Sequence, residues 1–318
     1  MRRRLPALLA ALIGLAGGAV TLTYGSTSAV GHEDDDFSLY VSSGGTNSVL
    51  AYDGETGAFQ GRFARRGGLT EPEGIAFGPD GNLYVSSRSD QVLRYDGMTG
   101  KFIDVFASGH GLVDPAGIAF GGPDHDLFVA SGLTDDGRGN QILRFDGATG
   151  AFDAVVDPAN KAGLDDPEAI AFGHDGLLYV TSTPETSPGE VLVYNPVNNS
   201  FVKTFVPAAR SHIRDPAGMV FGPRGDLFVS SAATSQVKRY DGTTGALEGV
   251  FIPAGSGGLN EAEGLAFGPS HHLFVASESG NAVLEYNRAG AFIREFVAAD
   301  SGGISEPTFI TFGPSPGE

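Results

Sequence analysis

Three glutamates occupy matching points of a repeating sequence, and their chemistry offers the first indication of a site. Each lies in a short step that leads into an apolar run, as in Pro72-Glu73-Gly74-Ile75-Ala76-Phe77. In chain order, the middle residue of this step is Glu73, Ala116, Glu168, Ala217, Glu263 and Thr308. If the repeats close into a ring, carboxylates from every second repeat converge on one axis. A hard divalent cation such as Ca²⁺, or protonation, would relieve their repulsion there. The alternative interpretation is a rim of solvated acids.

The repeat that must position these glutamates contains a Leu-Tyr-Val or Leu-Phe-Val element. It begins at Leu39, Leu83, Leu127, Leu178, Leu227 and Leu273, with spacings of 44, 44, 51, 49 and 46 residues. Each unit holds four short runs rich in Val, Ile, Phe and Tyr between turn residues, which is typical of four antiparallel strands. Because one such sheet cannot bury both faces alone, units of this length stack as propeller blades. The sequence predicts an all-β fold, a six-bladed β-propeller of four-stranded antiparallel blades.

The two ends of the chain complement each other. The unit at Leu39 lacks its first strand, and an extra first strand, residues 309–314, follows the last unit. We expect the C-terminal strand to pair into the N-terminal blade, because this closure removes two open sheet edges.

Charge and composition exclude several functions. The chain has 20 Lys and Arg against 38 Asp and Glu, a net charge of -18, and no cysteine. Nucleic-acid binding needs a basic face and is not expected. Disulfides, thiolate nucleophiles and cysteine-ligated zinc are excluded. We expect a monomer.

The N-terminus has the three regions of a secretory signal. Arg2, Arg3 and Arg4 precede an apolar stretch from Leu5 to about Leu22, and cleavage is expected after Ala29. The alternative is an uncleaved membrane anchor, the one case in which a membrane contact is expected. Both place the protein outside the cytoplasm, secreted or at the periplasm or cell surface. The predicted organisation is 1–29 signal or anchor, 30–36 acidic linker, 37–314 propeller and 315–318 tail.

Two loops are longer than their counterparts. Residues 132–141 and 183–190 join the second and third strands of adjacent blades, where the other blades have four or five residues. Both should lie on the face that carries the three glutamates, and long loops on a rigid scaffold often form a binding wall. The candidate ligand-binding residues there are Asp135, Asp136, Arg138 and Glu185. The alternative is a pair of tolerated surface insertions.

The Asp-Gly-x-Thr-Gly phrase between third and fourth strands has two interpretations. It recurs at Asp53, Asp96, Asp146 and Asp241. It is similar to part of a calcium loop but lacks the terminal Glu, so turn chemistry is favoured, with Asp bonding the backbone and Gly taking positive φ.

The stretch from Pro72 to Val85, Pro-Glu-Gly-Ile-Ala-Phe-Gly-Pro-Asp-Gly-Asn-Leu-Tyr-Val, resembles the NHL repeat. More broadly the chain is similar to the six-bladed propellers of the SMP-30/gluconolactonase and virginiamycin B lyase type, over nearly all of residues 37–314. The resemblance implies that the first strand of each blade is innermost and starts at the pocket face. In SMP-30-like lactonases this step supplies divalent-metal ligands, which implies a metal role for Glu73, Glu168 and Glu263. The lyase resemblance implies a general base near such glutamates, for which His110 and His212 are candidates; the alternative is exposed loop histidines.

These observations predict an exported NHL-type propeller that binds a small molecule or a protein through its loop-rich channel face. The alternative is a divalent-metal-dependent lactonase or lyase that uses the channel-mouth carboxylates, with Ca²⁺ or another divalent cation as cofactor. A structural role in the cell envelope is a third hypothesis, which depends on an uncleaved anchor.

Overall fold

The computed structural model describes residues 37–133, 138–184 and 188–317. The predicted signal and acidic linker, residues 1–36, lie outside the described residues, as do Asp135, Asp136 and Glu185. In the described ranges, no helix is long and apolar enough to cross a membrane.

The described residues form 24 strands, one short α-helix and four 3-10 turns. In chain order the strands are β1 (Phe37–Ser43), β2 (Ser48–Asp53), β3 (Phe59–Ala64), β4 (Pro72–Phe77), β5 (Leu83–Ser87), β6 (Gln91–Tyr95), β7 (Phe102–Ser108), β8 (Pro115–Gly121), β9 (Asp126–Leu133), β10 (Gly139–Phe145), β11 (Phe152–Val156), β12 (Ile170–Phe172), β13 (Leu178–Ser182), β14 (Glu190–Asn195), β15 (Ser200–Val206), β16 (Met219–Phe221), β17 (Leu227–Ser231), β18 (Gln236–Tyr240), β19 (Leu247–Ile252), β20 (Ala262–Phe267), β21 (Leu273–Ser277), β22 (Ala282–Tyr286), β23 (Phe292–Val297) and β24 (Pro307–Pro314). The helix is α1 (Ala208–Ser211), and the 3-10 turns are Gly44–Thr46, Ala232–Thr234, Ser256–Gly258 and Ser301–Gly303.

These strands make six four-stranded antiparallel sheets, so the predicted six-bladed β-propeller is confirmed. Blade 1 has the order β24-β1-β2-β3, and blades 2 to 6 are β4 to β7, β8 to β11, β12 to β15, β16 to β19 and β20 to β23. The first strands contact one another in a closed ring, from β24 through β4, β8, β12, β16 and β20 back to β24. They are therefore the inner strands that surround the axis.

Glycine after the middle residue of the Pro-x-Gly step allows these inner strands to approach closely. A Cβ on Gly74 would lie 2.5 Å from the carbonyl oxygen of Ala116 in the next blade, and a Cβ on Gly117 would lie 2.5 Å from that of Glu168. Real Cβ atoms do not come this close to a carbonyl. The backbone N–H of Gly117 also donates to the Glu168 carbonyl at 2.8 Å. Glycine at this step, present in four of the six inner strands, thus allows neighbouring inner strands to approach closely.

Aromatic rings fill the space between blades. The Tyr84 ring in β5 packs edge-on against Phe106 of its own blade and Phe120 of the next inner strand, each with ring centroids 4.7 Å apart. The second-strand ring contacts the phenylalanine of the next inner strand in every blade, in the pairs Tyr40–Phe77, Tyr84–Phe120, Phe128–Phe172, Tyr179–Phe221, Phe228–Phe267 and Phe274–Phe312. Such pairs add to the burial of apolar area.

A serine at the end of each second strand fixes the connection that enters its blade. Ser87 Oγ donates to the carbonyl of Thr70 at 3.0 Å and accepts from its N–H at 2.9 Å. The same reciprocal pair joins Ser43 to Ser305, Ser131 to Val113, Ser182 to Asp165, Ser231 to Arg214 and Ser277 to Asn260. Because all six connections are held alike, the residues that follow them are presented at equivalent positions around the axis.

The C-terminal strand closes the ring as predicted. β24 pairs antiparallel with β1, with Phe37 opposite Pro314 and Val41 opposite Ile310. The Tyr40 hydroxyl donates to the Pro314 carbonyl at 2.6 Å. Blade 1 is therefore built from both ends of the chain.

Deletion of residues 306–318 is expected to lower the free energy of unfolding by several kcal/mol, since buried apolar area is worth about 25 cal/mol per Å² and the loss leaves an open edge on β1. Urea denaturation of the truncated and full-length proteins measures the difference. Removal of residues 316–318 alone serves as the control and should change little. Equal unfolding midpoints for the full-length protein and the 306–318 deletion would refute closure by this strand.

One core position breaks the repeat. Lys238 stands in β18 where the other five blades have leucine, at Leu50, Leu93, Leu143, Leu192 and Leu284. Lys238 is 4% exposed, and its Nζ donates to Gln236 Oε1 at 2.8 Å. Burial lowers the pKa of the ammonium group. A buried ammonium with one hydrogen bond destabilises the folded state.

Lys238→Leu is expected to raise the free energy of unfolding by roughly 1–3 kcal/mol near neutral pH, the usual cost of burying an incompletely bonded polar group. The lowered pKa means that the native state binds fewer protons than the unfolded chain, so wild-type stability rises with pH until both states are deprotonated. The advantage of the variant should therefore shrink as the pH rises toward the ordinary lysine pKa of 10.5. Urea denaturation across this pH range measures it, with the exposed Lys161→Leu as control. A variant no more stable than wild type would show that Lys238 is well accommodated.

Candidate functional site

The inner strands begin on one face of the ring, and the hydroxyls of the preceding blade hold them there. Ser42 Oγ in blade 1 donates to the backbone carbonyl of Glu73 at 2.6 Å, and Thr308 Oγ1 donates to that of Pro72 at 3.0 Å. Ser86 Oγ donates in the same way to the carbonyl of Ala116 at 2.6 Å. The first residues of β4 and β8 are therefore fixed relative to the blade before them.

Glu73 is recessed at this face and is paired with a cation that the sequence analysis did not identify. The guanidinium of Arg88 lies 3.4 Å from Glu73, 3.3 Å from Glu71 and 3.2 Å from Asp114. The Glu73 side chain is 13% exposed, so water still reaches it. Burial raises the pKa of Glu73 to about 8, although the charge of Arg88 acts in the opposite direction. Partial burial acts to lower the pKa of Arg88, but the charges of four nearby carboxylates raise it overall.

Arg88 could have been found from the repeat. It follows the serine that ends the second strand, and the six residues at this position are Gly44, Arg88, Gly132, Thr183, Ala232 and Glu278. Two of the six are charged and of opposite sign. The backbone N–H of Arg88 donates to Thr70 O at 3.0 Å, and that of Glu278 donates to Glu261 O at 3.0 Å. Both residues thus start from matching points at the face where the inner strands begin.

Glu168 and Glu263 share this face with Glu73 but have no partner among the described residues. Neither side chain makes a hydrogen bond or an ion pair with any described residue. Burial raises the pKa of both carboxyls well above the ordinary value, and the Glu73 charge raises each of them further. Glu278 raises the pKa of Glu263 as well. We call Glu73, Arg88, Glu168, Glu263 and Glu278 the mouth cluster.

A second set of acids surrounds the mouth cluster. The residue before the Pro-x-Gly step is acidic in every blade and has a positive φ, at Glu71 (39°), Asp114 (42°), Asp166 (40°), Asp215 (58°), Glu261 (56°) and Glu306 (49°). Non-glycine residues rarely adopt this conformation. The preceding blade stabilises it: the N–H of Glu71 donates to Asn47 Oδ1 at 2.7 Å, and that of Glu306 donates to Asn281 Oδ1 at 2.8 Å. This six-fold acidic position was readable in the sequence and was missed.

The three predicted metal ligands share a face and influence one another, but they do not fit a divalent cation as they stand. The Arg88 guanidinium already lies 3.4 Å from the Glu73 carboxyl, where a metal ion would have to bind. No three His, Asp or Glu side chains in the described ranges are grouped so that they could hold a metal ion. The metal assignment stays a prediction, and no chemical step can be derived through such an ion.

Neither candidate general base makes a hydrogen bond, ion pair or ring contact with the mouth cluster. His110 stacks flat on the Phe152 ring of β11, with centroids 4.3 Å apart and planes 2° apart, as a packing residue would. His212 is exposed, with φ of 55°, at the end of α1, where most blades have glycine. Arg138, the one described ligand-binding candidate, lines a surface cavity of about 450 Å³ with Asp90 and Gln141. The catalytic and ligand-binding assignments remain predictions.

The Asp-Gly-x-Thr-Gly phrase forms a turn, as favoured. Asp96 Oδ1 accepts from the N–H of Thr99 at 2.8 Å and from its hydroxyl at 2.7 Å, bonds that lower the pKa of Asp96. A Cβ on Gly100 would collide with the carbonyl oxygen of Phe63 in the preceding blade. Glycine is thus needed here for close approach between blades.

Comparison with known proteins places the fold. A family model described as strictosidine synthase-like, N-terminal, matches residues 61–95. No match was found among curated proteins. Among solved structures, one from a nidogen/laminin complex superposes with a TM-score of 0.70 and 16% identity, over 88% of this chain and 99% of that chain. A protein of unknown function from Bacteroides caccae superposes with a TM-score of 0.65 and 15% identity, over 87% of this chain and 98% of that chain.

A gluconolactonase from Xanthomonas campestris superposes with a TM-score of 0.55 and 19% identity, over 71% of this chain and 76% of that chain. The predicted resemblance to NHL-repeat and gluconolactonase-type propellers is confirmed. At identities this low the likeness establishes the fold and leaves the activity to be argued from the site.

Glu263→Gln is expected to stabilise the protein above about pH 7, by at least about 1 kcal/mol, because it removes an unpaired recessed charge. A carboxyl whose pKa is raised on folding binds more protons in the native state than in the unfolded chain. Wild-type stability therefore falls as the pH rises from the ordinary glutamate pKa of 4.5 through the raised pKa of Glu263. The two proteins should converge in stability below about pH 4.5.

Thermal unfolding of Glu263→Gln, Glu168→Gln and wild type across this pH range tests the prediction. Glu55→Gln, which removes an exposed charge from the opposite face, is the matched control and should follow wild type. Parallel pH profiles for wild type and Glu263→Gln would show that the carboxyl of Glu263 is fully solvated.

Proposed function

We propose that this protein is an exported binding module whose channel mouth captures a positively charged group, the ammonium or guanidinium of a protein side chain or of a small amine. The observation that carries the proposal is that Glu168 and Glu263 lie recessed in the mouth with no partner among the described residues. Burial, and after it the charges of neighbouring carboxylates, raise the pKa of both carboxyls, and a cation between them would offset both effects. The predicted signal segment supports a location outside the cytoplasm.

Arg88 provides a precedent within the molecule for such a guest. Its guanidinium sits among Glu71, Glu73 and Asp114, which are supplied by two neighbouring blades. Glu168, Glu263 and Glu278 make no ion pair with a described cation, although the charge of Arg88 acts to lower the pKa of Glu168 and Glu278. The mouth cluster thus has one arginine for four glutamates, and its unpaired glutamates suit an exogenous cation of the same kind.

The surrounding acids would guide such a ligand to the mouth. The chain carries a net charge of -18, and every blade places one acid beside the opening. A field of one sign accelerates the association of oppositely charged partners and is screened by salt. The nidogen structure was solved in a complex with laminin, which supports a binding role for a propeller of this shape.

Oligolysine peptides should bind to wild type at low ionic strength and should bind at least about tenfold more weakly to a Glu168→Gln, Glu263→Gln double variant, because charge-assisted hydrogen bonds are the stronger ones. Isothermal titration calorimetry measures the affinity. Glu55→Gln, on the opposite face, should bind like wild type, and spermine separates recognition of the ammonium group from recognition of the peptide. Equal affinities for wild type and the double variant would contradict the proposal.

The alternative proposal is a divalent-metal-dependent lactonase or lyase, supported by the same unpaired glutamates. It requires Glu73 to release Arg88 so that three carboxylates can act together. Thermal unfolding with and without Ca²⁺ or Mg²⁺ decides between the two proposals. A metal-dependent rise in melting temperature that is lost in a Glu73→Gln, Glu168→Gln, Glu263→Gln variant would favour the alternative, and no shift in either protein would favour the organic cation.

A further inference from the structure

A second cavity lies on the face opposite the mouth cluster, where blades 5 and 6 meet. It has a volume of about 90 Å³ and opens to the surface. Its walls include three phenylalanines and three arginines: Phe228, Phe251, Phe267, Arg224, Arg239 and Arg288. The Phe228 ring lies between the other two rings, with centroids 4.8 Å from Phe251 and 5.2 Å from Phe267. The cavity therefore combines an apolar wall with cationic side chains in a protein that is acidic overall.

Two residues of blade 5 that line this cavity differ from their counterparts in blades 2 and 4. In blade 2 the turn residue Asp80 accepts a hydrogen bond from the Tyr84 hydroxyl at 3.0 Å, and in blade 4 Asp175 accepts one from Tyr179 at the same distance. The residues at these positions of blade 5 are Arg224 and Phe228. Blade 5 therefore lacks both the carboxylate and the hydroxyl of this hydrogen-bonded pair.

Blade 5 lacks the acidic residue at this position but keeps the arginine that lies beside it in blade 2. In blade 2 the guanidinium of Arg94 lies 3.7 Å from Asp80, and Arg239 is the matching residue of blade 5. Arg239 pairs instead with Asp226, at 2.8 Å, and with Glu248. Blade 5 therefore has no side-chain carboxylate beside Phe228 at the position that Asp80 and Asp175 occupy in blades 2 and 4.

Two of the three arginines form no ion pair with an acid in the described ranges. Arg224 makes no hydrogen bond or ion pair with any described residue. Arg288 donates to the backbone carbonyl of Ser270, at 3.0 Å from its terminal nitrogen. With Arg239 balanced by its own carboxylates, the cavity presents two uncompensated guanidinium groups, which match an oxyanion in shape and charge.

We propose that this cavity binds a small monocarboxylate that carries an apolar or aromatic group. The carboxylate lies beside Arg224 and Arg288, in the place that Asp80 fills in blade 2, and the apolar group rests against Phe228, Phe251 and Phe267. A volume of about 90 Å³ is smaller than the roughly 150 Å³ of a cavity that encloses benzene, so part of such a ligand extends through the opening to the surface. This site is independent of the cation proposed for the opposite face.

Benzoate is the probe, with benzamide as its neutral isostere and acetate as the carboxylate without a ring. Isothermal titration calorimetry should show saturable binding of benzoate to one site on wild type and at least about tenfold weaker binding of benzamide and acetate. An Arg224→Asp, Phe228→Tyr double variant rebuilds the pair of blade 2 and should lose benzoate binding by at least about tenfold. Because blades 2 and 4 carry the same pair, this variant is compatible with the fold.

Lys101→Asp is the matched control, since it makes the same change of charge in a turn on the same face. It should bind benzoate like wild type, and circular dichroism should show both variants folded. No saturable binding of benzoate to wild type, or equal binding to the double variant, would overturn the proposal. Benzamide binding as tightly as benzoate would overturn the role of the arginines, and acetate binding as tightly would overturn the apolar wall.

Discussion

The backbones of the six inner strands lie against one another around the axis, and the rest of the molecule depends on this contact. Gly74 and Gly117 make it possible, because a Cβ at either residue would lie 2.5 Å from a carbonyl oxygen of the next blade. A narrow ring forces the residues beside these glycines toward a shared opening. The aromatic rings between blades and the serine pairs at the connections then hold each blade at the same angle. The position of the mouth cluster is a consequence of this backbone packing.

The same packing creates an electrostatic problem at the opening. Glu73, Glu168 and Glu263 are brought within each other's field in recessed positions, and the acids before each inner strand adopt a left-handed conformation that side chains seldom take. Neither feature stabilises the fold. Arg88 relieves one part of the repulsion and leaves the other part in place. Unrelieved charge and strained backbone concentrated on one face of a regular scaffold are typical of functional sites.

Local sequence was sufficient for the architecture. The period, the four strands per unit and the closure by β24 follow from hydrophobic patterning, since each blade repeats the same turns and core residues. The alternating glutamates were also found, because they sit inside the repeated phrase. Arg88 was missed because its partner Glu71 comes close only when β4 and β5 pair, and its partner Asp114 only when blades 2 and 3 lie side by side. His110 was a candidate base because the sequence near it does not show that its ring stacks on Phe152, which lies in β11 of blade 3.

The central claim is that the inner strands bring separate carboxyls into one mouth where they influence one another. The most direct test is the pKa of Glu263, measured by carbon-13 NMR titration in wild type and in Glu168→Gln. The structure predicts a pKa well above the ordinary value of 4.5 in wild type, and a lower one once Glu168 is neutral, because the Glu168 charge contributes to the rise. A pKa near 4.5 that does not respond to the substitution would contradict the convergence of these residues.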